Sequence, residues 1–407
     1  MHSTAAGASG DGDRSVGTRP VGTGETCEVR YHRVEDTSPP PGRDVESQGA
    51  WRDWLRSPDP LPPLRVQGLD LRVHADLLLA RDDLGELVVL GGRLDPAVEA
   101  HLTRHGALVF PAAPHAPVDP YRAHLYTAQE LYAGVAEHGY VSTVDARAYR
   151  WYADATVRHD AYVSALRAIH DDAMSDALAA VLAERRVVGV MGGHALRRGT
   201  PDFAAAAVLG HRVARAGAVV LTGGGPGAME AANLGAWADD TDLLARALQE
   251  VAAVPDFAPD EGAWVAPALR LREQSAGGTT PRELRSVGIP TWYYGHEPPN
   301  AFAQLIAKFF SNALREDLLL AHSRAGVVVL PGAAGTVQEV FQMATRLYYA
   351  TEEEPLAPLV LVGREHWTDR LPVWPLLQAL GEGRAMAGAL HLVDTVEEAA
   401  ALVSTHG

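Results

Sequence analysis

The chain has 407 residues, 47% of them hydrophobic, a formal charge of −16 and a single cysteine, Cys27. That length suits about two domains plus tails; an intrachain disulfide is excluded, a cysteine-based metal site is not expected, and a reducing cytoplasm is the expected location. The acidic balance opposes nucleic acid and anionic membranes, no apolar run reaches the roughly 18 residues of a membrane helix, and the polar, glycine-rich start lacks the apolar core of a secretory signal.

Residues 1–45, rich in Gly, Ser, Thr, Pro, Asp and Arg and closing on "TSPPPGRD", read as a disordered tail. Residues 46–150 read as a small α+β domain for docking or oligomer contacts. In it "LDLRVHADLLLARDD" and "LGELVVLGG" are strands or short elements, "DPAVEAHLTRHG" is a helix with a glycine stop, and "ALVFP" is a short buried strand. "TAQELYAGVAEHG" is a helix opened by Thr127 as cap, with Glu130 completing a capping box.

From 151 to 407 the pattern becomes strand, glycine turn, helix, repeated. A long helix over about 156–184 precedes the strand "RVVGVMGG" and a helix over 201–216. "AGAVVLTGGGPGAMEAANLGAWA" supplies a second strand, turn and helix, and an excursion with a helix over 240–253 follows. "GIPTWYYGH" (288–296) is read as a strand and 299–322 as one helix with a broad apolar stripe, on which Lys308, Asn312 and Arg315 share a face. "GVVVLPGAAGTVQEVFQ", "APLVLVG" and "ALHLVDTVEEAAALVS" close the series. The expected fold is α/β: a doubly wound, Rossmann-like parallel sheet with helices on both faces. Ligands of such sheets sit beyond the carboxyl ends of the strands, where all the glycine turns fall.

In "LTGGGPGAME", Gly223, Gly224, Gly225 and Gly227 let the backbone approach a ligand, and helix-start N–H groups suit phosphate or ribose. The same glycines fit a dinucleotide fingerprint or a plain tight turn, but the fingerprint belongs on the first strand of its fold, and the next acids, Asp239 and Asp240, sit at a helix boundary. In "MGGHALRRG", Gly192 and Gly193 form a second turn. His194 there is a base or phosphate contact or a solvated loop histidine, and Arg197 and Arg198 are phosphate partners or surface cations. In "PGAAGTVQE", Gly332, Ala333, Ala334, Gly335 and Thr336 form a third turn able to face an anion. Glu339 has two readings: with Thr336 as cap it completes a capping box, or it faces the ligand as a catalytic acid. Lys308 is the only lysine, so Schiff-base chemistry would have to use it. No cluster of metal ligands stands out, and no cofactor is expected.

The three turns in this order, with an arginine on the helix before the last, resemble the LOG family, often labelled lysine decarboxylase-like. Its motif P-G-G-x-G-T-x-x-E is matched at Pro331, Gly332, Gly335, Thr336 and Glu339, within a resemblance covering about 155–400. It is nearest to the larger bacterial pyrimidine/purine nucleotide 5′-monophosphate nucleosidases. The resemblance implies cleavage of the N-glycosidic bond of nucleoside 5′-monophosphates, giving free base and ribose 5-phosphate. It implies Glu339 and Arg315 as the catalytic pair, the glycine turns as the phosphate site, and an even-numbered homo-oligomer. Tyr293, Tyr294 and His296 are expected to stack on or bond the base, or to pack in the core. The chain departs from the family at Ala333 for glycine, Glu316 for the lysine after the arginine, and Gln338 for a glutamate. A non-catalytic nucleotide sensor or carrier on the same fold is the alternative.

Overall fold

β-Branched apolar runs with no polar alternation need cover on both faces, and the larger sheet is built from them. The computed structural model describes residues 44–113, 115–275, 283–295, 297–350 and 356–405. The segment read as a tail therefore lies outside the described residues except for its last two positions, and His296 lies outside them too. Seven parallel strands form the larger sheet: β5 (Val187–Met191), β6 (Val219–Thr222), β7 (Ser286–Gly288), β8 (Leu305–Ile306), β9 (Val327–Val329), β10 (Leu359–Val362) and β11 (Leu390–Val393). Their order is β11-β10-β9-β5-β6-β7-β8. The chain thus builds outward from β5 through β6, β7 and β8, then returns to the other side of β5 with β9, β10 and β11. The reversal lies between β5 and β9, which pair Gly189 with Val327 and Met191 with Val329. Crevices at such reversals are where ligands bind in open parallel sheets.

Helices cover both faces. Helix Pro201–Arg215 crosses Ala228–Trp237 so closely that a Cβ on Gly210 would collide with the Ala232 backbone, and one on Gly235 with the Ala207 backbone. Two glycines at one crossing let the helix axes approach and hold both helices against the sheet.

Residues 44–110 form a second parallel sheet, β1 (Asp44–Val45), β2 (Arg65–Gln67), β3 (Val88–Leu90) and β4 (Leu108–Phe110), in sequential order. Helices Gln48–Arg56, Ala75–Leu79 and Pro96–Arg104 connect its strands, around a core of Trp51, Leu64, Val66, Leu71, Leu78, Val89 and Leu102. Arg65 of β2 ties it to helix Ala161–Leu182 through Asp172 (3.3 Å) and Asp176 (2.5 Å).

The helix expected over 299–322 begins only at Asn312, capped by Ser311, and ends at His322. Ala301, Phe302, Ala303, Ile306, Ala307, Phe309 and Phe310 are buried in near-continuous succession, a pattern without helical period. They cross the core as the short strand β8 and irregular chain. Lys308 therefore shares no helix face with Asn312 and Arg315. The strand expected over 288–296 is displaced upstream to Ser286–Gly288, because Pro290 cannot donate to a ladder. The helix expected in "TAQELYAGVAEHG" is two short helices, Ala128–Leu131 and Val135–His138, parted by Gly134 at φ 80. Its capping box between Thr127 and Glu130 is present. Among the described residues no helix is long and apolar enough to cross a membrane.

Candidate functional site

The turns after β6, β5 and β9 leave the carboxyl ends of three adjacent strands and pack on one another. The Gly193 N–H donates to the Pro331 carbonyl (3.2 Å), and the Ala228 N–H donates to the Gly193 carbonyl (3.1 Å). A Cβ on Gly192 would lie 2.8 Å from the Ala228 Cβ and 3.0 Å from the Leu330 Cβ. Gly227, at φ 74, would place a Cβ 2.5 Å from the Gly193 carbonyl oxygen. Gly192, Gly193 and Gly227 thus serve first to bring the turns together. Gly224, at φ 73, donates its N–H to Thr222 Oγ1 (3.0 Å). Its carbonyl accepts from the Asn300 N–H (2.8 Å), and the Asn300 amide also donates to the Gly225 carbonyl (3.1 Å) and to Asn233 Oδ1 (3.1 Å). Asn233 and Asn300 were not singled out from the sequence. Both are fully buried, and Asn300 ties the turn to Asn233 on helix Ala228–Trp237.

The third turn differs from its expected form. Helix Ala334–Tyr349 starts with Ala333 as N-cap and no side-chain cap. Thr336 is already inside the first turn, so it cannot be the cap, and the capping box expected with Glu339 does not form. The turn at Gly332 is tight enough to start the helix early: a Cβ there would collide with the Thr336 hydroxyl. Ala333, Ala334 and Gly335 are exposed around this uncapped start. Uncapped first-turn N–H groups and the helix dipole favour an anion. His366, at the start of the short helical segment after β10, bonds the Gly332 carbonyl through Nε2 (3.1 Å).

Displaced from the cap, Glu339 meets Arg315. Arg315 Nη1 lies 3.7 Å from Glu339 Oε1 and 3.3 Å from where a Cβ on Gly223 would stand. The guanidinium therefore stands between the turn after β6 and the helix that follows β9. Asn312 Oδ1 accepts from Arg315 Nη2 (2.8 Å) and Nε (3.2 Å), which fixes the plane of the guanidinium. The Glu339 side chain is 15% exposed, and its pKa is pushed up to about 7. Burial is the main cause; Arg315 pulls the other way, and the carboxylates of Glu316 and Glu297 push further up. Glu398, in a genuine capping box with Thr395, has a lowered pKa because the cap donors favour its charged form. The opposite direction at Glu339 separates it from a capping carboxylate.

Two departures from the family motif meet in space. Gln338 Nε2 donates to Glu316 Oε2 (2.7 Å), while Asn312 Nδ2 donates to Glu316 Oε1 (2.7 Å) and to the Tyr294 hydroxyl (3.1 Å). Glu297, also not singled out from the sequence, pairs with His194 Nδ1 (3.3 Å) and stands 3.4 Å from a Cβ position on Gly225. Its signal was its place, an acid in the loop that follows the third strand. Tyr293 and Tyr294 stand exposed in that loop, their rings 5.2 Å apart, edge to face.

Other candidates are used elsewhere. Arg198 is buried against Glu230 (Nε to Oε2, 3.0 Å), donates to the Trp264 carbonyl (2.8 Å) and lies over that ring. Arg197 pairs at the surface with Asp256 (2.6 Å). Asp239 pairs with Arg285 (2.8 Å), and Asp240 caps helix Thr241–Val251, so neither supplies the ribose acid of a dinucleotide site. Lys308 is buried in an ion pair with Asp145 beside the Trp292 ring, and burial lowers its pKa. Asp145 also accepts from Trp292 Nε1 and the Tyr140 hydroxyl, each at 2.8 Å. A lysine so enclosed does not fit a Schiff-base role.

Residues 185–242 match the family model "SLOG cluster4 family", and residues 273–405 match "Possible lysine decarboxylase". The two matches support placement in the LOG/SLOG superfamily. A search of curated proteins found no match. Among solved structures, the chain is similar to a molybdenum cofactor binding protein from the phototrophic bacterium Rippkaea orientalis, at 20% identity over 55% of this chain and 98% of that one, with a TM-score of 0.32. It is similar also to a molybdenum cofactor carrier protein from Chlamydomonas reinhardtii, at 19% identity, 55% and 98% coverage and a TM-score of 0.32. At these scores the likeness carries no argument about ligands.

Proposed function

We propose that this protein hydrolyses the N-glycosidic bond of nucleoside 5′-monophosphates, releasing a free base and ribose 5-phosphate. The observation that carries the reading is the pairing of Arg315 with a largely buried Glu339 over Gly223, at the reversal of strand order. The superfamily placement and the matched motif support it.

In this reading the 5′-phosphate lies on the uncapped start of helix Ala334–Tyr349, against the N–H groups of Gly335 and Thr336. Anchoring a remote phosphate spends binding energy on orienting the ribose. As the C1′–N bond breaks, its electron pair leaves with the base and positive charge grows on C1′ and the ring oxygen. Ionised Glu339 stabilises that charge and takes a proton from the attacking water, whose oxygen bonds to C1′. Its pKa of about 7 leaves much of it ionised at neutral pH and basic enough to accept that proton. Arg315 stays charged, so it orients the carboxylate and the ribose hydroxyls and does not serve as the base. Tyr293 and Tyr294 offer aromatic faces to the base. The protein is expected to act as an even-numbered homo-oligomer.

The test incubates the protein with AMP, GMP, CMP and UMP and measures free base and ribose 5-phosphate. Base release that disappears in Glu339→Gln supports the hydrolase. Saturable nucleotide binding with no release from any of the four overturns it in favour of a nucleotide sensor or carrier.

A further inference from the structure

We infer that Asp82, His101 and His105 form a binding site for a zinc-class divalent cation, in the smaller sheet region and separate from the nucleotide site. One ligand atom from each of the three residues lies within 4.8 Å of the others. His101 and His105 stand four apart at the end of helix Pro96–Arg104, His105 as its C-cap, so both imidazoles leave the same side. Their ring centroids are 4.4 Å apart. Asp82 comes from the turn after helix Ala75–Leu79, and its Oδ1 is 3.6 Å from His105 Nε2.

The surroundings are pre-set on two sides. His101 is buried and bonded through Nε2 to the Arg81 carbonyl (2.8 Å). A histidine that gives one N–H to a backbone carbonyl keeps the other nitrogen as a fixed lone pair, an arrangement typical of metal-binding imidazoles. The side chains on both sides of Asp82 are anchored as well. Arg81 donates to the Ser57 carbonyl (2.8 Å) and the Asp59 carbonyl (2.7 Å), and Asp83 accepts from the Leu61 N–H (2.8 Å). The Asp82 side chain itself is 87% exposed, free to swing the short distance that tetrahedral coordination needs. Two imidazoles and one carboxylate favour zinc and its transition-metal neighbours over magnesium or calcium, which prefer all-oxygen shells. Three protein ligands leave the fourth position to water. From the sequence alone the set was invisible, because Asp82 lies on a different element from the histidine pair.

The test uses the full-length protein freed of metal by a chelator. Zn²⁺ titration by calorimetry and Co²⁺ absorption are measured for the native chain, Asp82→Asn and His105→Gln. Both changes lie on the solvent side of the site, and melting without metal serves as the folding control. The expected result is one saturable site that excess Mg²⁺ does not displace and a Co²⁺ spectrum of tetrahedral intensity. Each variant should bind more weakly by at least about tenfold. No saturable binding by the native chain overturns the inference, and so does affinity unchanged in either variant. Neither outcome depends on nucleotide hydrolysis.

Discussion

Glu339→Gln separates the two roles open to this glutamate by the sign of its effect on stability. A carboxyl raised from its ordinary 4.5 to about 7 holds in the folded state a proton that the unfolded chain has lost at the same pH. The stabilisation this gives is full below pH 4.5 and is lost as pH rises through 7. Over that interval, at about 1.4 kcal/mol per pH unit, ionised Glu339 costs the fold about 3 kcal/mol at pH 8 and under about 1 kcal/mol at pH 5. Glutamine mimics the neutral acid at all pH values. The variant should therefore be more stable than the native chain at pH 8, by about 2–3 kcal/mol, and nearly equal to it at pH 5. Chemical denaturation at the two pH values reads this directly. A capping glutamate would behave oppositely, with the variant losing about 0.5–2 kcal/mol. A Glu339→Gln variant that is less stable at pH 8, or shifted equally at both pH values, would refute the argument that burial destabilises an ionised group here.

On the proposed mechanism, in which the ionised form is the active one, kcat/KM for base release should rise with pH and level off above about 7; a falling profile would make Glu339 the acid. Glu339→Gln should lower that rate by about 10²–10⁴ at pH 8 while leaving nucleotide binding measurable by calorimetry. Gly332→Ala should cost about 1–3 kcal/mol and weaken nucleotide binding, because the added methyl collides with the Thr336 hydroxyl at the helix start. A double-mutant cycle of Glu316→Gln and Gln338→Ala should show coupling of about 0.5–1.5 kcal/mol, the pair being close but partly solvated; additive losses would mean the contact is incidental. Lys308→Met should cost about 3–5 kcal/mol by stranding the buried Asp145 charge, and Asp145→Asn in the same chain should recover part of the loss, both read by thermal melting.

The larger sheet was legible because its strands are short β-branched runs closed by glycines. Those glycines marked the carboxyl ends of β5, β6 and β9 without any knowledge of strand order. What adjacency added was invisible in one dimension: three turns far apart in sequence lie side by side only because the order reverses between β5 and β9. Local reasoning failed where burial was complete. The stretch Ala301–Phe310 carries apolar residues at helical spacing because nearly every position is apolar, so the period held no information and β8 was missed. The capping box at Thr336 failed for a related reason. The same spacing caps a helix at Thr127 and Thr395, where a non-helical residue precedes a free first turn. At Thr336 the same spacing is satisfied inside a helix that Gly332 has already started. The two glutamates left over by those errors also explain each other. Glu339 is raised by burial and by Glu316 and Glu297, and Glu316 is kept in place by Gln338, the residue beside Glu339. A lysine at 316 would add a second cation beside Arg315 and hold Glu339 lower. Exchanging that lysine for a glutamate, with glutamine to receive it, therefore shifts the carboxyl toward neutral pH and leaves Arg315 as the charge that faces it.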